Sequence, residues 1–249
     1  KKGEKKQARS ILNQLFTKTE ATQEFEAIVQ HKKDNERPKL FTRVYYKPLS
    51  LAFLLAFFNQ WSGINFILYY APEILERAGL ATQDSLLSSI SIGGINLLFT
   101  LLGMYLIDRL GRKQLLLYGS IGYIISLAAV AFAFYSGASS RFLLFFLCAF
   151  IASHAIGQGA VIWVFIAEIF PNKVRAYGQA FGSGVHWIFA AFITLITPLF
   201  LDAEKGVFKD NPWPIFAFFA GMMVLQLVWV LTKVPETKGK SLEAIQEQL

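Results

Sequence analysis

Apolar residues in the first 47 positions recur at helical spacing within a polar, basic background: Ala8, Ile11, Leu12, Leu15 and Phe16, then Phe25, Ile28 and Val29. The spacing predicts two short amphipathic helices. Thr17 followed by Glu20 fits a capping box, so the two meet near Thr17. Two readings of residues 1–47 stand open, a solvated helical linker or a membrane-surface anchor. From Pro48 the pattern changes to six apolar runs, near 48–71, 85–107, 114–135, 142–169, 177–200 and 213–233. Each is long enough to cross a hydrocarbon core of about 30 Å. A polar tail follows over 234–249. The pattern therefore predicts an all-α membrane protein, with a six-helix transmembrane bundle over 48–233 between short N-terminal helices and a tail.

Composition agrees. Charged residues make up 16% of the chain, against about 25% in a soluble globular domain. The single cysteine, Cys148, excludes a disulfide framework or a zinc cluster, and no cofactor or metal is expected. The opening KKGEKKQARS is followed by no short apolar stretch, so it does not read as a signal peptide. With no methionine before Met104, the chain reads as starting partway through a longer protein.

Charge sorts the loops into two sides. Of the 24 Lys and Arg, 20 fall in residues 1–47, 109–113, 173–175 and 233–249. Only Arg77, Arg141, Lys205 and Lys209 lie on the other side. The positive-inside rule then places both termini in the cytoplasm, with the basic face toward anionic lipid. A nucleic-acid partner is excluded, because most aromatics lie inside the spans rather than on a basic soluble face.

The spans lack acidic residues in their middles but carry amides, indoles, phenols and two histidines. The first holds Asn59, Gln60, Trp61, Asn65, Tyr69 and Tyr70; the second holds Asn96. His154, Gln158 and Trp163 lie in the fourth, and Gln179, His186 and Trp187 in the fifth. An unpartnered amide in hydrocarbon costs several kcal/mol, so these groups face other helices or a wet cavity. Taken singly, each reads equally well as interhelical glue.

Position carries more information. Split into two triplets, the first span of each is interrupted, at Ser62-Gly63 and at Gly157-Gln158-Gly159. Glycine-interrupted helices at matching places in repeated halves point to a midplane binding site. On an ideal helix Gln60 and Asn65 point about 140° apart, and a distortion at Gly63 would swing both to one side. Amides supply both donors and acceptors to hydroxyls, and aromatic faces suit the C–H side of a sugar ring. A charged substrate would call for opposite charge within the spans. The expected ligand is a small neutral polar solute of the sugar type. An intramembrane enzyme is not expected, since His154 and His186 have no in-span carboxylate to orient them.

Four spaced motifs carry a family resemblance: SGIN followed by YYAPEI, DRLGRK, IAEIFPNKVRA and PETKGKSLEAI. Together they resemble the C-terminal half of a sugar porter of the major facilitator superfamily, over essentially the whole chain. The resemblance implies that residues 1–47 belong to a cytoplasmic linker between halves and that a six-helix N-terminal half is missing. It implies sugar contacts at Gln60, Asn65, Tyr69, Asn96, Gly159, Trp163 and Trp187, with Asn59 as a shortened substitute for glutamine. His186 stands where bacterial members often place glutamine. Asp108, Arg109, Arg112, Glu168, Arg175 and Glu236 fall where the family has a cytoplasmic charge network that locks the outward-facing state. The implied activity is monosaccharide transport by alternating access, in the plasma membrane. The alternatives are a sugar sensor that binds without transport, or a fragment inactive alone.

Overall fold

The computed structural model describes residues 5–17, 21–22, 25, 39–202, 204–240 and 244–245. They fall into two compact units, Lys1–Lys39 and Leu40–Leu249. In the first, α1 spans Lys5–Leu15, and the Arg9 guanidinium lies 5.7 Å over the Phe25 ring. Ala21, Thr22 and Phe25 are helical. Glu20, Ile28 and Val29, which were to complete the capping box and second helix, lie outside the described residues.

The described residues of the second unit form helices joined by turns and short coil, with no strand among them. A single 3₁₀ turn, Arg43–Tyr45, leads into α2 (Tyr46–Trp61), α3 (Ile64–Tyr69) and α4 (Ala71–Arg77). Then come α5 (Thr82–Leu110), α6 (Arg112–Ser136) and α7 (Ser140–His154). A π-helical turn at Ala155–Gly159 joins α7 to α8 (Ala160–Ile169), followed by α9 (Arg175–Leu201) and α10 (Trp213–Lys233). Among the described residues, six stretches are long and apolar enough to cross a membrane, the first running through α2 and α3 and the fourth through α7 and α8.

The two triplets interlock. α10 lies along α6, and α9 lies along α2, so each half of the sequence supplies walls for the other. Large apolar side chains fill the seams: Tyr123, Phe150, Phe165, Phe216 and Leu55 are all essentially fully buried. Burial is uneven, however. In the most apolar window of α5 only 17% of residues are buried, and in that of α9 22%, against 67% in the first span. Leu97, Leu98 and Leu101 of α5 and Ile188, Leu195 and Leu199 of α9 stand out from the bundle.

Candidate functional site

The first span breaks because Gly63 adopts a left-handed conformation, φ 84°. That region costs an L-residue with a Cβ roughly 1–2 kcal/mol, which glycine avoids. The Phe219 ring of α10 packs into the space left by the missing side chain, so a Cβ there would lie 2.6 Å from the ring. Ser62 steadies the exit of α2 by donating from Oγ to the Asn59 carbonyl, 2.6 Å. The turn brings Gln60 and Asn65 together: Asn65 Nδ2 donates to Gln60 Oε1 at 2.8 Å. An unbroken helix would hold them well apart.

The fourth span breaks differently. Ala155–Gly159 widens into a π turn, a form that recurs at functional sites. Gly157 meets Gly119 of α6 backbone to backbone, and a Cβ on it would lie 2.9 Å from the Gly119 Cα. The hydroxyl of Tyr123 accepts from the Gln158 backbone N–H at 3.0 Å. Gln158 Nε2 donates to Gln226 Oε1 of α10 at 2.7 Å, and Gln226 Nε2 donates to Ser120 Oγ at 3.0 Å. Each such bond contributes about 1 kcal/mol net, but leaving its buried partner unpaired costs more. The site residues proposed from sequence did not include Tyr123, Ser120 or Gln226. A lone amide in the apolar run 213–233 was the signal for Gln226. The turn keeps unused capacity, since His154 Nδ1 and Gln158 Oε1 are buried without a hydrogen-bond partner.

Between the two breaks lies a polar and aromatic cluster. Gln60, fully buried, is its hub. Its Nε2 donates to Asn59 Oδ1 at 3.0 Å and lies 3.2 and 3.1 Å from the Nδ1 and Nε2 of His186 on α9. The Trp163 ring of α8 sits 5.0 Å from the imidazole, and the Trp187 ring lies 5.2 Å from it. Asn59 is buried, while Trp163 is 43% and Trp187 58% exposed. The cluster therefore has a closed amide floor and an open aromatic rim. Gly159 lies beside His154, where an added Cβ would be 3.6 Å from the imidazole ring. Tyr69 is exposed at 54% and Asn96 half-buried, and neither joins the hydrogen-bonded cluster. A separate cavity of about 400 Å³ between α2, α3, α9 and α10 is apolar apart from Thr197 and the Trp61 indole. It is not where the amides converge.

The charged residues meet at one end of the bundle. Arg112, at the start of α6, is buried and makes a two-pronged contact with Glu168 at the end of α8, 2.7 and 3.1 Å. It also pairs with exposed Asp108 at 3.1 Å. Glu236 of the tail accepts from the backbone N–H groups of Arg112 and Lys113, both at 3.0 Å, and so caps α6. Thr237 Oγ1 donates to Glu168 at 2.6 Å, and Lys238 reaches the Arg109 carbonyl at 2.5 Å. Arg109 itself stacks over Tyr105 at 4.3 Å. Arg175 donates from Nε to the Phe170 carbonyl at 3.3 Å, and its Nη2 is buried without a hydrogen-bond partner. The structure thus joins Asp108, Arg112, Glu168 and Glu236, and leaves Arg109 and Arg175 outside the ion pairs.

Six spanning helices in two interlocked triplets, each opened by a broken helix, define one half of a major-facilitator-type membrane bundle. The family model "Sugar (and other) transporter" matches residues 1–249, and the chain belongs to that family. It is similar to the D-xylose-proton symporter of Escherichia coli K12, 32% identical over 98% of this chain and 50% of that protein. Among solved structures, a double-tryptophan mutant of the xylose transporter XylE superposes with a TM-score of 0.82 at 30% identity, over 99% of this chain and 52% of that one. XylE bound to 6-bromo-6-deoxy-D-glucose gives 0.79 at 32% identity, with the same coverage. The chain spans about half the length of the relatives it matches.

Proposed function

We propose that this chain is the sugar-contacting half of a transporter that moves a neutral monosaccharide across the plasma membrane by alternating access. One observation carries the reading. Two broken helices supply a cluster of amides and aromatic rings to which, among the described residues, no carboxylate, ammonium or guanidinium contributes. Such a site discriminates by hydrogen bonding and ring stacking, which suits hydroxyls on a carbon ring. Similarity to a protein named a D-xylose-proton symporter and to XylE holding a brominated deoxyglucose supports it.

In this reading Asn65, His186 and Trp163 meet the sugar, and Trp187, Tyr69, Asn96 and Gly159 line the space beyond. A second six-helix half completes the cavity by covering the poorly buried faces of α5 and α9. Both termini of this chain face the cytoplasm, where basic residues concentrate. The Arg112–Glu168–Glu236 assembly joins the α5–α6 turn, the end of α8 and the tail. It acts as a lock, formed in one of the two access states and released in the other.

In the complete transporter, Asn65→Ala and Trp163→Ala each weaken sugar binding about tenfold or more, the loss expected for one buried hydrogen bond or one stacking face. Isothermal titration with a panel of monosaccharides checks this, alongside a melting curve showing that both variants remain folded. Affinity unchanged in both variants contradicts the site.

A further inference from the structure

Gln60 makes more bonds to the protein than it has free for a ligand. The Gln60 carbonyl oxygen accepts from Asn65 Nδ2 at 2.8 Å, an amide orientation assigned from the hydrogen-bond network. Its nitrogen then has two hydrogens, one directed to Asn59 Oδ1 and the other to the edge of the His186 ring. The side chain is fully buried by its own half of the bundle.

We infer that His186 is a positioning residue, the acceptor that fixes the Gln60 amide and through it Asn65, so that Asn65 and the imidazole present the polar face of the site while Gln60 stands behind them. Only a neutral imidazole accepts a hydrogen bond, and whichever ring nitrogen does so, the other carries the proton. The ring nitrogen that does not accept from Gln60 is then a donor. Asn65, its Nδ2 committed to Gln60, keeps its carbonyl oxygen as an acceptor. Gln60 therefore holds a donor, the imidazole N–H, and an acceptor, the Asn65 carbonyl oxygen, and the Trp163 ring lies 5.0 Å from that imidazole. Two neighbouring hydroxyls of a sugar ring complement that pair, one accepting and one donating. This last step rests on the sugar-binding reading above; the positioning role does not.

The test is a double-mutant cycle in the complete protein, read first without ligand. His186→Phe and Gln60→Leu each lower the apparent melting temperature by about 2–4 °C, and the double variant falls little further than one of them alone. His186→Gln, whose carbonyl can accept the same N–H, recovers most of the loss. Shifts that simply add, or no recovery in His186→Gln, overturn the positioning role. Sugar affinity is the second readout: about tenfold weaker in His186→Phe and Gln60→Leu, and regained in His186→Gln. Coupled melting shifts in a protein that binds none of the sugars tried uphold the positioning role and overturn the sugar-binding reading instead.

Discussion

Gly63→Val destabilises the bundle by about 3 kcal/mol, from left-handed backbone strain of roughly 1–2 kcal/mol plus an overpacking cost of similar size or more. The φ of 84° is closed to a β-branched residue without strain, and the new side chain meets the Phe219 ring. If the chain relaxes by restoring a continuous helix, Gln60 and Asn65 rotate apart and their 2.8 Å hydrogen bond is lost. The amide floor then goes with it. Urea or thermal unfolding in detergent, compared with Gly184→Ala as a control where a Cβ meets nothing within 4 Å, checks the magnitude. A change under about 1 kcal/mol would show that neither strain nor contact governs the break.

Glu168→Ala has an effect of comparable size by a different route. Arg112 is 9% exposed, and the two-pronged contact with Glu168 is what compensates its charge. Asp108, its other partner, has a side chain 79% exposed and offers little in a screened setting. Removing one member of a buried pair costs about 3–5 kcal/mol because the other charge stays behind. The lower end, about 3 kcal/mol, applies here, since Glu168 is partly solvated. Thr237 loses its acceptor in the same step, and the tail loosens from α8. Replacing both members, Arg112→Met with Glu168→Leu, recovers part of the stability if the cost is electrostatic, and a thermal-shift series on the three variants reads this out.

Much of this architecture was legible in the sequence, for physical reasons. Spans must be long, apolar and nearly uncharged, and each of the six runs carries that mark on its own. The two breaks were visible as well, because Gly63 and the Gly157–Gly159 pair fall among amides that hydrocarbon would reject. The form of each break was not. A left-handed residue at Gly63 and a π turn at Ala155–Gly159 depend on what packs against them, Phe219 in one case and Tyr123 in the other. Both partners are distant in sequence, and neither is marked locally.

The same limit explains the polar cluster. That Asn59, Gln60, Asn65 and His186 carry hydrogen-bonding groups could be read from their types. That Gln60 spends its bonds on the other three could not, because the meeting requires α9 to lie along α2. Among the charged residues, Arg109 and Arg112 look equivalent in DRLGRK. Only Arg112 begins a helix that points it into the bundle toward Glu168, while Arg109 stacks on its own helix over Tyr105. Tyr69 and Asn96 could be read as polar groups within spans, and the motif resemblance singled them out as sugar contacts, but within this chain neither meets the cluster.

The central claim is that a neutral sugar passes across the membrane by way of this uncharged cluster. It is tested most directly by uptake of radiolabelled monosaccharides into liposomes holding the complete transporter, wild type beside Trp163→Ala. The account predicts saturable uptake of at least one monosaccharide by the wild type, unaffected by its charged amino-sugar analogue as competitor and reduced about tenfold or more in the variant. Equal uptake by the wild type and Trp163→Ala, or binding of the sugar with no uptake at all, would contradict it.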